Sequence, residues 1–172
     1  MQTYVLLFRG INVGGKNILP MRALTALLEG SGQQNVRTYI QSGNVVLDSQ
    51  TKPDENLCLT IEKQFGFKPS LIVVDKKKFL SVVAKNPFAS AEGKSMHFYF
   101  SQQTPKPNGE KITSLITHGE QYQIVDNVLY LYAPEGIGRS KLVANIDSCM
   151  GVPVTGRNLN TISKLVSMLS AE

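Results

Sequence analysis

Arg9-Gly10-Ile11-Asn12-Val13-Gly14-Gly15-Lys16-Asn17 gathers three glycines, two cations and two amides in nine consecutive residues. Backbones free to take positive φ, beside side chains that donate hydrogen bonds and carry charge, suit the holding of an anion better than the filling of a core. Gln41-Ser42-Gly43-Asn44 and Gly136-Ile137-Gly138-Arg139-Ser140-Lys141 share that character. The central expectation is that the three stretches form one site. Its ligand-touching residues would be Arg9, Asn12, Lys16, Gln41, Ser42, Asn44, Arg139, Ser140 and Lys141, joined by Arg157 and Asn158.

Gly10 to Lys16 has the spacing G-x-x-x-x-G-K, but Asn17 stands where a phosphate-binding P-loop needs Ser or Thr to hold Mg²⁺. In a P-loop the helix starts at the lysine, whereas here Ile18, Leu19 and Pro20 intervene. A simpler anion cradle of backbone amides with Arg9 and Lys16 fits these residues better. Gln41-Ser42-Gly43-Asn44 has the residues of a hairpin turn, and as a site it would offer the Gln41 and Asn44 amides. Ser42 has no histidine near it in sequence, so a serine triad is not expected. Gly136 to Lys141 leads from strand to helix, so Ser140 is expected to cap that helix, and the amides after it, with Arg139 and Lys141, form a second anion locus. Thr155-Gly156-Arg157-Asn158-Leu159-Asn160-Thr161 caps the last helix and offers Arg157 as a bidentate clamp on phosphate or carboxylate.

The elements that must position these residues follow from apolar periodicity. Residues 3–8 read as a strand buried on both faces, and Met21, Leu24, Leu27 and Leu28 recur at helical spacing after Pro20. Strands at 36–40 and 45–47, a helix marked by Leu57, Ile61 and Phe65, and a strand at 71–74 complete a β-α-β-β-α-β order, the ferredoxin-like split arrangement. Residues 79–84 read as a connecting helix. Beyond it come a strand at 96–100, a helix capped by Asn108 and a hairpin across Asp126-Asn127. A single helix carrying Leu142, Ile146, Cys149 and Met150, a short strand at 152–155 and a terminal helix from Ile162 to Leu169 follow.

The fold class is therefore α+β: two ferredoxin-like-type subdomains with a C-terminal helix. The expected divisions are residues 1–75, a connecting helix and linker over 76–94, and 95–172, with a binding cleft between the subdomains. His97, alternating with Met96 and Phe98, reads as a surface or interface residue, and Tyr39, Tyr99, Tyr130 and Tyr132 as strand packing residues.

With 172 residues the chain buries about 70% of its unfolded surface and needs no disulfide or metal staple. Cys58 and Cys149 sit at apolar helical positions and read as buried free thiols of a reducing, cytoplasmic compartment. Two cysteines and two histidines without a paired spacing argue against a zinc cluster, and no metal or cofactor is expected. No membrane partner is expected either, because no segment approaches the roughly 18 uninterrupted apolar residues of a membrane helix. A net charge of +5 admits nucleic acid as well as phosphorylated small molecules.

Taken with Asn86-Pro87-Phe88, these motifs resemble the bacterial family called domain of unknown function 1697. The likeness is carried by residues 7–17 and 38–45, by Gly138-Arg139-Ser140-Lys141-Leu142 and by Arg157-Asn158-Leu159-Asn160-Thr161. The resemblance implies a small cytoplasmic α+β protein of two subdomains and brings no catalytic residues. The expectation for function is an anionic, phosphorylated or nucleotide-like ligand held in a basic cleft. A nucleic-acid-binding protein or a protein-interaction module is the alternative, and catalysis is left open.

Overall fold

The computed structural model describes residues 1–170. Two compact units divide the chain: Met1–Ser81 together with the chain from Lys164 onward, and Val82–Ser163. The division falls inside helix α3 (Lys76–Ala84).

The first unit is built on strand β1 (Gln2–Arg9), in which Tyr4, Val5, Leu6, Leu7 and Phe8 are all buried. Helix α1 (Met21–Gly30), strands β2 (Gln34–Tyr39) and β3 (Asn44–Ser49), helix α2 (Asn56–Phe65) and strand β4 (Ser70–Asp75) follow. The sheet order is β2-β3-β1-β4 with every neighbour antiparallel. Leu24, Leu27 and Leu28 of α1 and Leu57, Cys58 and Ile61 of α2 pack on Tyr4, Leu6, Phe8, Val45, Leu47, Leu71 and Val73, the alternate residues of three strands. That period of two against a helical stripe is the packing the sequence pattern anticipates.

The second unit repeats the order. Strand β5 (Met96–Phe100), helix α4 (Gly109–Leu115), strands β6 (Gln121–Val125) and β7 (Val128–Tyr132), helices α5 (Lys141–Ala144) and α6 (Ile146–Met150) and strand β8 (Thr155–Asn158) form a sheet of order β6-β7-β5-β8. Helix α7 (Leu159–Ser170) ends the described chain. Asn108 caps α4 as expected, its side chain accepting from the Lys111 amide at 3.1 Å.

Two expectations need correction. The single helix over 142–150 is broken at Asn145, whose φ of −120° is not helical and whose Nδ2 donates to the Lys141 carbonyl at 2.8 Å. A short amide side chain competes there with the helical ladder. The strand expected at 152–155 lies instead at Thr155–Asn158. The Val154 amide is drawn off to Asp147 Oδ1 at 3.0 Å, so strand pairing begins one residue later, at Thr155 opposite Phe100.

Candidate functional site

Strand β1 ends at Arg9, and the chain then turns back on itself before α1. The Asn12 amide donates to the Asn17 carbonyl and the Lys16 amide to the Val13 carbonyl, each at 2.9 Å, so residues 12–17 form a small hairpin. Gly14 and Gly15 at its tip have φ of 57° and 75°, the pair of left-handed residues that a two-residue reverse turn requires. Lys16 therefore closes a hairpin. It does not start a helix, and α1 begins only at Met21.

The Asn12 side chain joins this hairpin to the β2–β3 turn. Its Nδ2 donates to the Leu19 carbonyl at 2.8 Å and to the Gln41 carbonyl at 2.9 Å, while its Oδ1 accepts from the Leu19 amide at 2.7 Å. Beneath the turn, Gly43 is buried with φ of 91°, and its carbonyl accepts from the Phe8 amide at 2.9 Å. A Cβ there would stand 2.7 Å from Ile11 Cδ1 and 2.8 Å from Phe8 Cβ. Asn44 is fully buried, and its Nδ2 donates to the Tyr39 carbonyl and the Ser42 hydroxyl at 3.0 and 3.1 Å. Of the residues expected to touch a ligand in this unit, Asn12 and Asn44 thus hold the two loops in shape. Arg9, Lys16, Gln41 and Ser42 are exposed above them.

In the second unit Arg139 and Lys141 are exposed and flank Ser140, which is buried and accepts from the Val143 amide at 3.1 Å. The helix so capped is a single turn of four residues, which limits the dipole it offers an anion. Arg157 lies on β8 opposite Phe98, one Nη1 donating to the Gly156 carbonyl at 2.9 Å. Burial pushes its guanidinium down to about 10, so it stays charged at neutral pH. Asn158 accepts from the Thr161 amide at 2.9 Å and so caps α7. The loop after β7 leaves beside Ser95, where the Ala133 amide donates to the Ser95 carbonyl at 2.8 Å, and β8 finishes with Asn158 opposite His97.

Two features went unread in the sequence, and a third was misread. Ile40, a β-branched residue, has φ of 50° and is 48% exposed. Glu120 is buried, with Oε1 accepting from the Thr117 amide at 2.9 Å and no partner at Oε2. His97 is buried rather than on the surface, because β5 lies inside its sheet between β7 and β8 and all five of its residues are covered. Among the described residues its Nε2 has no hydrogen-bond partner, and burial lowers its pKa. The run Met-His-Phe-Tyr-Phe carried the signal, since a strand with no polar alternation beyond one histidine is a strand buried on both faces. The tyrosines behave as packing residues: Tyr130 donates to the Val82 carbonyl at 2.6 Å, Tyr132 stacks on Phe88, and Lys164 lies 5.9 Å above the Tyr39 ring.

A family model described as "Protein of unknown function (DUF1697)" matches residues 1–130, three quarters of the chain and both clamped loops of the first unit. The chain belongs to the DUF1697 family. The motifs around Arg139 and Arg157 lie beyond the matched residues. This DUF1697 chain is also similar to the solved structure of a conserved bacterial protein from Streptococcus pneumoniae. The TM-score is 0.74 at 23% identity over 99% of both chains, a likeness of fold from end to end. Comparison with curated proteins finds no match.

Proposed function

We propose that this protein is a cytoplasmic anion-binding module whose ligand, phosphorylated or nucleotide-like, is held in the first unit by the residue 9–17 hairpin and the Gln41–Asn44 turn. The observation that carries this reading is the Asn12 clamp. One side chain makes two hydrogen bonds to Leu19 that hold its own loop and a third, to the Gln41 carbonyl, that ties this loop to the β2–β3 turn, which preorganises the exposed Arg9, Lys16, Gln41 and Ser42. In the second unit Arg139, Ser140, Lys141, Arg157 and Asn158 supply a further cationic locus. Its charge is supported by the retained protonation of Arg157. The strand orders β2-β3-β1-β4 and β6-β7-β5-β8, with strands parallel in direction held apart by an antiparallel one, support reading both units as ferredoxin-like. Buried free Cys58 and Cys149, with burial pushing the Cys58 thiol up to about 11, fit a reducing compartment.

A thermal-shift panel of nucleotides, sugar phosphates and pyrophosphate tests this. A ligand bound only by the folded state raises Tm with concentration, by about 2.7 kcal/mol of stability at a hundredfold excess over Kd. Arg9→Ala and Lys16→Ala should abolish the shift, and Arg139→Ala should weaken it. No shift by any anion at millimolar concentration would sink the proposal.

A further inference from the structure

The same two loops carry a second chemistry that an anion does not need. Val13, Ile18 and Ile40 are 63%, 59% and 48% exposed, three of the six large hydrophobics that stand out in solvent among the described residues. The segments that carry them are tied together: Ile18 and Ile40 each precede a residue, Leu19 or Gln41, whose carbonyl accepts from the one Asn12 Nδ2, and Val13 forms the hairpin rung with Lys16. Ile40 occupies a left-handed conformation that Gly or Asn takes at far lower cost, so an aliphatic side chain is maintained there against local strain.

The surroundings narrow the partner. Arg9 and Lys16 are exposed in the same stretch of chain as Val13 and Ile18. A nucleic acid would call for stacking surfaces, but residues 9–18 carry no aromatic side chain and Tyr39, before the turn, is half-buried. A peptide ligand would call for a groove, whereas residues 13–18 are a wholly exposed turn. A lipid surface needs neither: it takes up exposed aliphatic side chains and meets nearby cations with its phosphates. No helix among the described residues is long and apolar enough to cross a membrane, but lying on one requires no such helix.

We propose that the residue 9–18 hairpin and the Ile40 turn dock this protein reversibly on an anionic bilayer, Val13, Ile18 and Ile40 entering the boundary between headgroups and acyl chains while Arg9 and Lys16 engage phosphates. The docking rests on the anion reading only through those two cations. The test is co-sedimentation of the full chain with vesicles of equal parts phosphatidylcholine and phosphatidylglycerol, against vesicles of phosphatidylcholine alone. The parent should partition onto the mixed vesicles only, and Ile18→Ser with Ile40→Ser should weaken that partition about tenfold or more. The same double variant should keep the parent's thermal shift with pyrophosphate, whereas Lys16→Ala lowers both readings. Ile40→Asn should raise Tm by roughly 2–4 °C while weakening partition. Absence of partition onto the mixed vesicles overturns the docking and leaves the anion reading to its own assay. Partition undiminished in the serine double variant overturns it as well, since plain charge adsorption would then suffice.

Discussion

In the first unit the cations Arg9 and Lys16 stand where β1 ends and in the loop after it; in the second, Arg139 and Lys141 follow β7, and Arg157 stands within β8. The strand order is the same, so the difference lies in how each unit uses its connections. After β1, residues 10–20 build a hairpin of their own and bond to the β2–β3 turn. After β5, the corresponding residues 101–108 contain Pro105 and Pro107 and are tied to α6, the Lys106 and Asn108 amides donating to Met150 and Cys149 at 2.7 and 2.8 Å. The β2–β3 turn spans four residues between the Tyr39–Asn44 pair, and the β6–β7 turn only two between Val125 and Val128. A repeated sheet therefore leaves its ends open to different uses, and loop length with turn chemistry decides where each unit presents its polar loops.

The largest expected break in this contrast comes at Gly43. Gly43→Ala places a methyl inside contact distance of Phe8 and Ile11 at a φ of 91°, and should cost about 3 kcal/mol in urea unfolding. Gly138→Ala, in the glycine loop of the second unit, meets nothing within 4 Å at an ordinary φ and should change stability by less than about 0.5 kcal/mol. Equal effects at the two glycines would mean that the first unit's turn is no more tightly built than the second unit's loop.

Asn12→Ala comes next. It removes three hydrogen bonds to backbone groups, worth about 2 kcal/mol together once water replaces some of them. The loss should appear with faster amide exchange in residues 16–19 and a weaker pyrophosphate shift, because the hairpin is no longer joined to Gln41. A variant that loses stability yet keeps full anion binding would show that the clamp serves the fold alone.

The elements were legible where a single rule governs them: buried strands, amphipathic helices, and caps such as Asn108 and Ser140. The site was legible as composition and not as geometry. That residues 9–17 and 41–44 meet is a consequence of β1 and β2 running in the same direction on either side of β3. Which amide performs the joining depends on Asn12 taking a left-handed φ of 52°, which no spacing rule gives. Asn145 and Val154 were misread because a side chain captured backbone groups that periodicity assigns to a helix or a ladder. His97 was misread because alternation on one strand says nothing about what covers its second face.

His97 supplies the next test, through pH. Its folded pKa is lowered from 6.5 by burial, outweighing the hydrogen bond with the Lys94 backbone that raises it. Below 6.5 the unfolded chain takes up a proton that the folded chain declines, so stability falls as pH drops toward the folded value and levels off beneath it. The slope from this one group cannot exceed about 1.4 kcal/mol per pH unit. His97→Leu should flatten that part of the profile, measured as the urea midpoint between pH 7 and 5. An unchanged slope would place the acid sensitivity elsewhere.

The smallest effect separates two roles that the second unit assigns to one residue. Ser140 Oγ accepts from the Val143 amide, and Ser140→Ala should cost about 1 kcal/mol, or roughly 2–4 °C in Tm, by loss of that cap. Such a loss says nothing about ligands. Ser140→Asp does, because aspartate caps a helix as well as serine but sets a negative charge between Arg139 and Lys141. If this loop holds an anion, Ser140→Asp should keep the parent's Tm and forfeit that part of the pyrophosphate shift which Arg139→Ala also removes. If the serine only caps, the aspartate variant should match the parent in both measurements. The second unit's cations would then be surface charges, and binding would belong to the first unit alone.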